Sequence, residues 1–234
     1  MAAGARIGRS VARRLPAGAS PPTYGRRAAT AAAAKAEDNE SCSGFLPWLQ
    51  SKAGASISSV LRLGTSPLGR SLFASRPIRE GDCIMEVPRS VQLTEDKLPE
   101  EVRRLLDDGV AGDTTKIAVL LMMEQHLGQG SGWAPYVGSL PCKDQRHNMM
   151  FWDLNELHMV QNSSICDEAI IQKERIRKQF SMVKLVLERF PHLFGEIKLE
   201  DFMCAAALVS SRAWQTSRGV SLISLTMMVV LILY

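Results

Sequence analysis

The sequence predicts an α+β fold, on two observations. Short β-like runs broken by turn residues fill the stretch from Ile57 to Pro88, and from Thr94 onward the apolar spacing becomes helical. Strands first and helices afterwards, without alternation, point away from a doubly wound parallel sheet. With 234 residues, 46% apolar and 22% charged, the chain is long enough to bury a core. No internal repeat is visible, which sets solenoids and propellers aside.

The front of the chain stands apart. Residues 1–36 carry Arg6, Arg9, Arg13, Arg14, Arg26, Arg27 and Lys35 and no acidic residue, so the net charge of +4 hides a remainder that is mildly acidic. A surface for phosphate backbones has little support outside this leader, and no nucleic-acid partner is expected. The leader also holds 13 alanines with Ser, Thr and Pro, but lacks the apolar run of a secretory signal. That composition reads as an organelle transit peptide over about residues 1–40; a disordered basic tail is the bland alternative. Composition does not separate plastid from mitochondrion.

The folded part is expected to begin at Phe45, where Phe45, Leu46 and Trp48 form the first apolar anchor. The β-like runs are Ile57 to Leu63, Ser71 to Ala74 and Cys83 to Val87, separated by turns at Gly64–Gly69 and Arg79–Asp82. Alternation puts Cys83, Met85 and Val87 on one face of the last run. Residues 45–93 therefore read as a small antiparallel unit and 94–214 as a mainly helical one. In the latter, Pro99 suits a first helical turn, Val102, Leu105 and Leu106 form a stripe, and Gly109 is a stop. Asp113 can cap a second helix running to Gly128, with Ile117, Leu120, Leu121 and Leu127 inward. A third spans Asp167 to Phe190, where Ile176, Phe180, Val183, Leu187 and Phe190 share a stripe that Lys173, Arg177 and Lys184 avoid, and Pro191 ends it. A fourth runs from Leu199 to Trp214, with Ala205–Ala207 suited to close packing.

Few residues suggest chemistry directly. Cys42, Cys83, Cys142, Cys166 and Cys204 are odd in number and lack a C-x-x-C pair, so they read as reduced, mostly core residues, and no metal site is expected; Cys142 with His147 is too sparse a pair. No nucleophile elbow, P-loop or zinc-protease helix occurs. Two places remain. One is the glycine-bearing turn Gly64–Gly69 with Arg70 and Ser71, where Gly lets a ligand approach and Arg70 could meet an anion, but which by itself reads as a plain surface hairpin. The other is Ser211-Arg212-Ala213-Trp214 at the end of the alanine-rich helix, where Arg212 has to find a carboxylate, a ligand or water.

Taken in order, four stretches resemble the SET-domain lysine methyltransferases of the Rubisco large-subunit methyltransferase type, whose SET fold carries a helical insertion. Gly69 to Pro88 is similar to the family's G-x-G-L-x-A turn and following I-x-x-G-E-x-I-x-x-V-P strands. Trp133-Ala134-Pro135-Tyr136 with Leu140-Pro141 resembles W-x-P-Y-x-x-x-L-P, Phe151-Trp152 with Glu156-Leu157 resembles F-W-x-x-x-E-L, and Ser211 to Trp214 resembles S-R-A-F/W. The resemblance covers about Phe45 to Ser221. It implies the N-terminal part of a SET domain, S-adenosylmethionine as methyl donor, and a protein substrate with a target lysine. By the same resemblance Gly69, Arg70 and Ser71 lie against the donor, Ser71 standing where the family has a second glycine. Arg212 lines the donor site, and Ser211 with Arg212 the lysine pocket.

The end of the sequence departs from that pattern. The family continues from S-R-A-F/W into P-x-A-D-x-x-N-H and a later tyrosine, whereas here the last Asn is Asn162, the last His is His192, and the tyrosines are Tyr24, Tyr136 and Tyr234. No catalytic residue is assigned for that reason, and little activity is expected of these 234 residues. A non-catalytic interaction module is the rival reading. Residues 219–234 form a divergent apolar tail, shorter than the about 20 residues a membrane span needs, so its Val, Ile and Leu content suits a strand instead and no membrane partner is expected.

Overall fold

A computed structural model describes residues 4–7, 45–66, 69–107, 111–141, 148–216 and 219–223, and they fall into two compact units that divide between Arg89 and Ser90. Gly109, Cys42, Cys142, His147, the leader apart from Gly4–Ile7, and residues 224–234 lie outside the described residues.

The first unit joins β1 (Gly4–Ile7), α1 (Phe45–Ala53), the hairpin β2 (Leu61–Ser66) and β3 (Gly69–Ala74), and β4 (Met85–Pro88). Within the leader, Gly4–Ile7 pairs antiparallel with β4, Gly4 opposite Pro88 and Ile7 opposite Met85. Phe45, Leu49, Ile57, Val60, Met85 and Val87 are buried. Burial alternates along β4 as a half-covered strand requires, but Cys83 falls before the strand begins and is exposed, contrary to the face expected for it. The Arg79–Asp82 turn is present: Gly81 takes φ +91, Asp82 N–H bonds to Arg79 O at 3.1 Å, and Asp82 Oδ2 accepts from Arg79 N–H at 3.0 Å. Ser58 fastens the unit, its hydroxyl donating to Ile84 O at 2.7 Å while accepting from Leu61 N–H at 3.1 Å.

The second unit is a three-stranded antiparallel sheet with helices. Its strands β5 (Gln92–Thr94), β6 (Ala213–Thr216) and β7 (Gly219–Ile223) lie in the order β5-β7-β6, with Leu222 opposite both Leu93 and Ala213. The start of the apolar tail is thus the central strand, which suits its β-branched content.

The helices are α2 (Glu100–Asp107), α3 (Asp113–Leu127), α4 (Ala134–Gly138), α5 (Leu154–Met159), α6 (Ser164–Leu187), α7 (Pro191–Phe194) and α8 (Leu199–Arg212). On α2, Val102 and Leu106 are buried while Leu105 is only half-covered. The cap of α3 is Gly112, not Asp113, and Leu127 is exposed rather than inward. Thr115 through Glu124 are all buried, so α3 is the helix around which this unit is built, covered on every side rather than along one stripe. Alanines 205 and 207 let α8 come close to it. Pro191 ends the long helix α6 by starting a further short one, and α8 stops at Arg212, two residues before the expected Trp214.

Candidate functional site

In the first unit the hairpin register pairs Ser66 with Gly69, Thr65 with Arg70, and Gly64 with Ser71. The expected turn Gly64–Gly69 is instead largely strand: Gly64, Thr65 and Ser66 belong to β2, and Gly69, Arg70 and Ser71 open β3. The register also bears on the serine that stands where a second glycine was expected. Its cross-strand partner Gly64 has no side chain, so this rung of the ladder carries one small side chain in all.

In the second unit the candidate residues sit where α8 turns directly into β6. Ala213 is already extended, at φ −79 and ψ 144, and its N–H still bonds to Val209 O. The last turn is closed by its serines: Ser210 Oγ donates to Ala207 O at 2.9 Å, and Ser211 Oγ to Leu208 O at 3.1 Å. Arg212 Nη1 donates to Ser211 Oγ, so the two residues singled out in the sequence are in contact. A guanidinium in the last turn is favoured by the helix dipole. Gly69–Ser71 and Ser211–Arg212 belong to different units.

Arg212 has a neighbour that inspection of the sequence passed over as a candidate. Tyr136, on α4, is fully buried. Burial raises its phenol well above the ordinary value, and the positive charge of Arg212 partly opposes that. The phenol is thus neutral, and Arg212 is near enough for its charge to be felt there. The signal in the sequence was the W-A-P-Y spacing, which puts Tyr136 three residues after Trp133.

Trp133 is held from three sides. Its ring meets Tyr136 edge-on at 6.2 Å between centroids, and Lys97 Nζ lies over it at 4.6 Å. Its backbone N–H donates to Ser131 Oγ at 2.8 Å, and Ser131 Oγ in turn donates to the buried carboxylate of Glu124 on α3. A continuous set of contacts thus runs from the central helix through Ser131, Trp133 and Tyr136 toward Arg212. Chemically, the arrangement offers a half-buried cation steadied by Ser211 Oγ, suited to a carboxylate-bearing ligand. Among the described residues no group of three His, Cys, Asp or Glu could hold a metal ion, and no helix is long and apolar enough to cross a membrane.

The chain's helices and short antiparallel strands match part of a SET-domain fold. The crystal structure of the SET domain of Rubisco large-subunit methyltransferase bound to lysine and AdoHcy superposes with a TM-score of 0.70 at 20% identity, over 82% of this chain and 44% of that one. In sequence, the chain is 24% identical over 196 residues to the chloroplastic [fructose-bisphosphate aldolase]-lysine N-methyltransferase of Arabidopsis thaliana, covering 82% of this chain and 39% of that protein. It is 25% identical over 182 residues to the chloroplastic Rubisco large-subunit N-methyltransferase of Nicotiana tabacum, covering 76% and 36%. No family model matches the chain. The motif resemblance therefore holds: both of these relatives are lysine N-methyltransferases, one of them acting on the Rubisco large subunit, and the chain spans less than two fifths of the length of either.

Proposed function

We propose that these residues form the front part of an S-adenosylmethionine-dependent protein-lysine N-methyltransferase that works in a plastid. The observation that carries the reading is that the four family-like stretches occur in order on a matching fold, with Arg212 of Ser-Arg-Ala-Trp at the helix end, held by Ser211, and its charge felt at the buried Tyr136 of Trp-Ala-Pro-Tyr. The chloroplastic relatives support the compartment and the arginine-rich, acid-free leader agrees with it.

S-adenosylmethionine supplies an electrophilic methyl group: the lone pair of a neutral lysine amine forms the N–C bond, the S–C bonding pair stays on sulfur, and the amine's proton goes to water. Arg212 suits the donor's carboxylate, and Ser211, its own proton given to Leu208 O, accepts from Nη1 and so helps to hold the guanidinium at the helix end. In the first unit, the Gly64–Ser71 rung carries little side-chain bulk, which suits close approach of a ligand to that strand. A lysine amine is protonated at neutral pH, so catalysis of this kind depends on desolvating and aligning it. These 234 residues contain no Asn-His pair after Ser211 to help with that. We infer that residues 1–234 by themselves bind the donor weakly and turn over little.

Titration calorimetry with S-adenosylmethionine tests this, alongside tritium transfer from labelled donor to a plastid protein extract. Saturable binding that Arg212→Ala removes supports the reading. Binding indifferent to Arg212, or none, contradicts it, and rapid tritium transfer contradicts the inferred low turnover.

A further inference from the structure

A cavity of about 560 Å³ lies within the helical part, between the start of α3, residues 148–152, α6 and α8. That is within the range of about 300–1,000 Å³ usual for ligand pockets. None of Gly69, Arg70, Ser71, Ser211 or Arg212 lines it, and nothing so far gives it a role.

Its lining has a definite chemistry. The floor is apolar, with Met150, Ile176 and Phe202 all buried. Arg175 is the charged residue of the lining, and neither Asp nor Glu belongs to it. Arg175 is exposed and makes no hydrogen bond or ion pair among the described residues. Asn148 Oδ1 already accepts from Met150 N–H at 3.0 Å, which leaves its amide N–H₂ for a ligand. Gln179 adds a second uncommitted amide. An apolar floor with a bare guanidinium and amide donors at its edge fits a group that is partly apolar and partly anionic.

A second cavity of about 390 Å³ shares Met150 and Ile176 with the first; Lys173, Arg177 and Glu200 line it, Lys173 Nζ already donates to Trp152 O, and Arg177 makes no hydrogen bond or ion pair among the described residues. Two neighbouring hollows that share Ile176, each with one uncommitted arginine, suit successive side chains of an extended chain better than one compact small molecule. We propose that this pair of cavities docks a segment of the protein substrate in which acidic residues alternate with bulky apolar ones. The proposal rests on the methyltransferase reading for the word substrate, but its binding chemistry stands on these residues alone.

The test uses the 234-residue chain on an array of immobilised octapeptides that combine Leu, Phe or Met with Asp and Glu, and a matched set with Lys in place of the acids. Signal should rise with acidic content and fall with added salt. Arg175→Glu should weaken the acidic set about tenfold, as loss and reversal of one charge contact implies, and Arg175→Lys should retain most of it. Gln179→Trp, which fills the rim, should weaken it without charge reversal, with circular dichroism confirming the fold of each variant. An array response indifferent to peptide charge, or one that Arg175→Glu leaves unchanged, overturns the proposal. Donor binding separates the two readings. If Arg212→Ala removes S-adenosylmethionine binding and the acidic preference is absent, docking alone fails; if the preference is present and no donor binds, the methyltransferase reading alone fails.

Discussion

At Gly195 the backbone holds φ +59 and ψ −143, a region open in practice only to glycine, and a Cβ built there would lie 2.6 Å from His126 Cε1 and 2.9 Å from Nδ1. Gly195→Ala should therefore lose about 2 kcal/mol or more of stability, visible as a lower urea midpoint with an unchanged slope. Nothing in the sequence flagged this residue beyond its position after a short apolar run. Tyr136 carries a different signature. Its phenol is raised in the folded chain, so the folded state keeps a proton that the unfolded state gives up above about pH 10. Stability from this residue is complete below that pH and declines as pH rises past it. Lys116 acts in the same direction, since its hydrogen bond to Asp107 and the nearby Glu95 raise it, and deprotonation loses both partners. Urea midpoints followed from pH 9 to 11 should fall, and Tyr136→Phe should make the fall shallower. An equally steep fall in the variant would remove Tyr136 from the account.

Among the elements, helices with a polar side were legible. Val102 and Leu106 on α2, and Ile176, Val183 and Leu187 on α6, are buried where their spacing put them. For α3 the same logic gave too narrow an answer. A helix covered all round has no polar face to break the apolar run, so its period cannot say which side is inward, and Leu127 was misplaced by continuing a stripe past the point where cover ends. Partnership across the chain was equally out of reach. The pairing of Gly219–Ile223 with both Gln92–Thr94 and Ala213–Thr216 joins segments that local patterns cannot connect. This central position makes a prediction. Leu222→Pro removes the N–H of a residue that has strands on both sides, so it should destabilise the second unit by about 1–3 kcal/mol or more, with faster amide exchange in β5 and β6. Exchange unchanged in those strands would contradict the assigned order.

For the whole molecule, motif order conveyed more than motif chemistry. Singly, the hairpin and the Arg-bearing helix end read as ordinary structure. In sequence they pointed to a SET domain, and the superposition at a TM-score of 0.70 agrees. What the order could not give was the geometry that makes Arg212 interesting: its place at a helix-to-strand switch, its contact with Ser211, and a buried Tyr136 whose phenol feels its charge. The basic cavity pair around Ile176 was hidden for a related reason. Lys173 and Arg177 read as lying off the apolar stripe of α6, Arg175 carried no signal of its own, and only the arrival of α8 and residues 148–152 turns that side into a lined hollow. The measurement that bears most directly on the account is calorimetric titration of residues 1–234 with S-adenosylmethionine, run beside Arg212→Ala. The account predicts weak, saturable binding to the unaltered chain that the variant lacks while keeping its fold; a folded chain that shows no binding, or that binds equally well without the guanidinium, would contradict it.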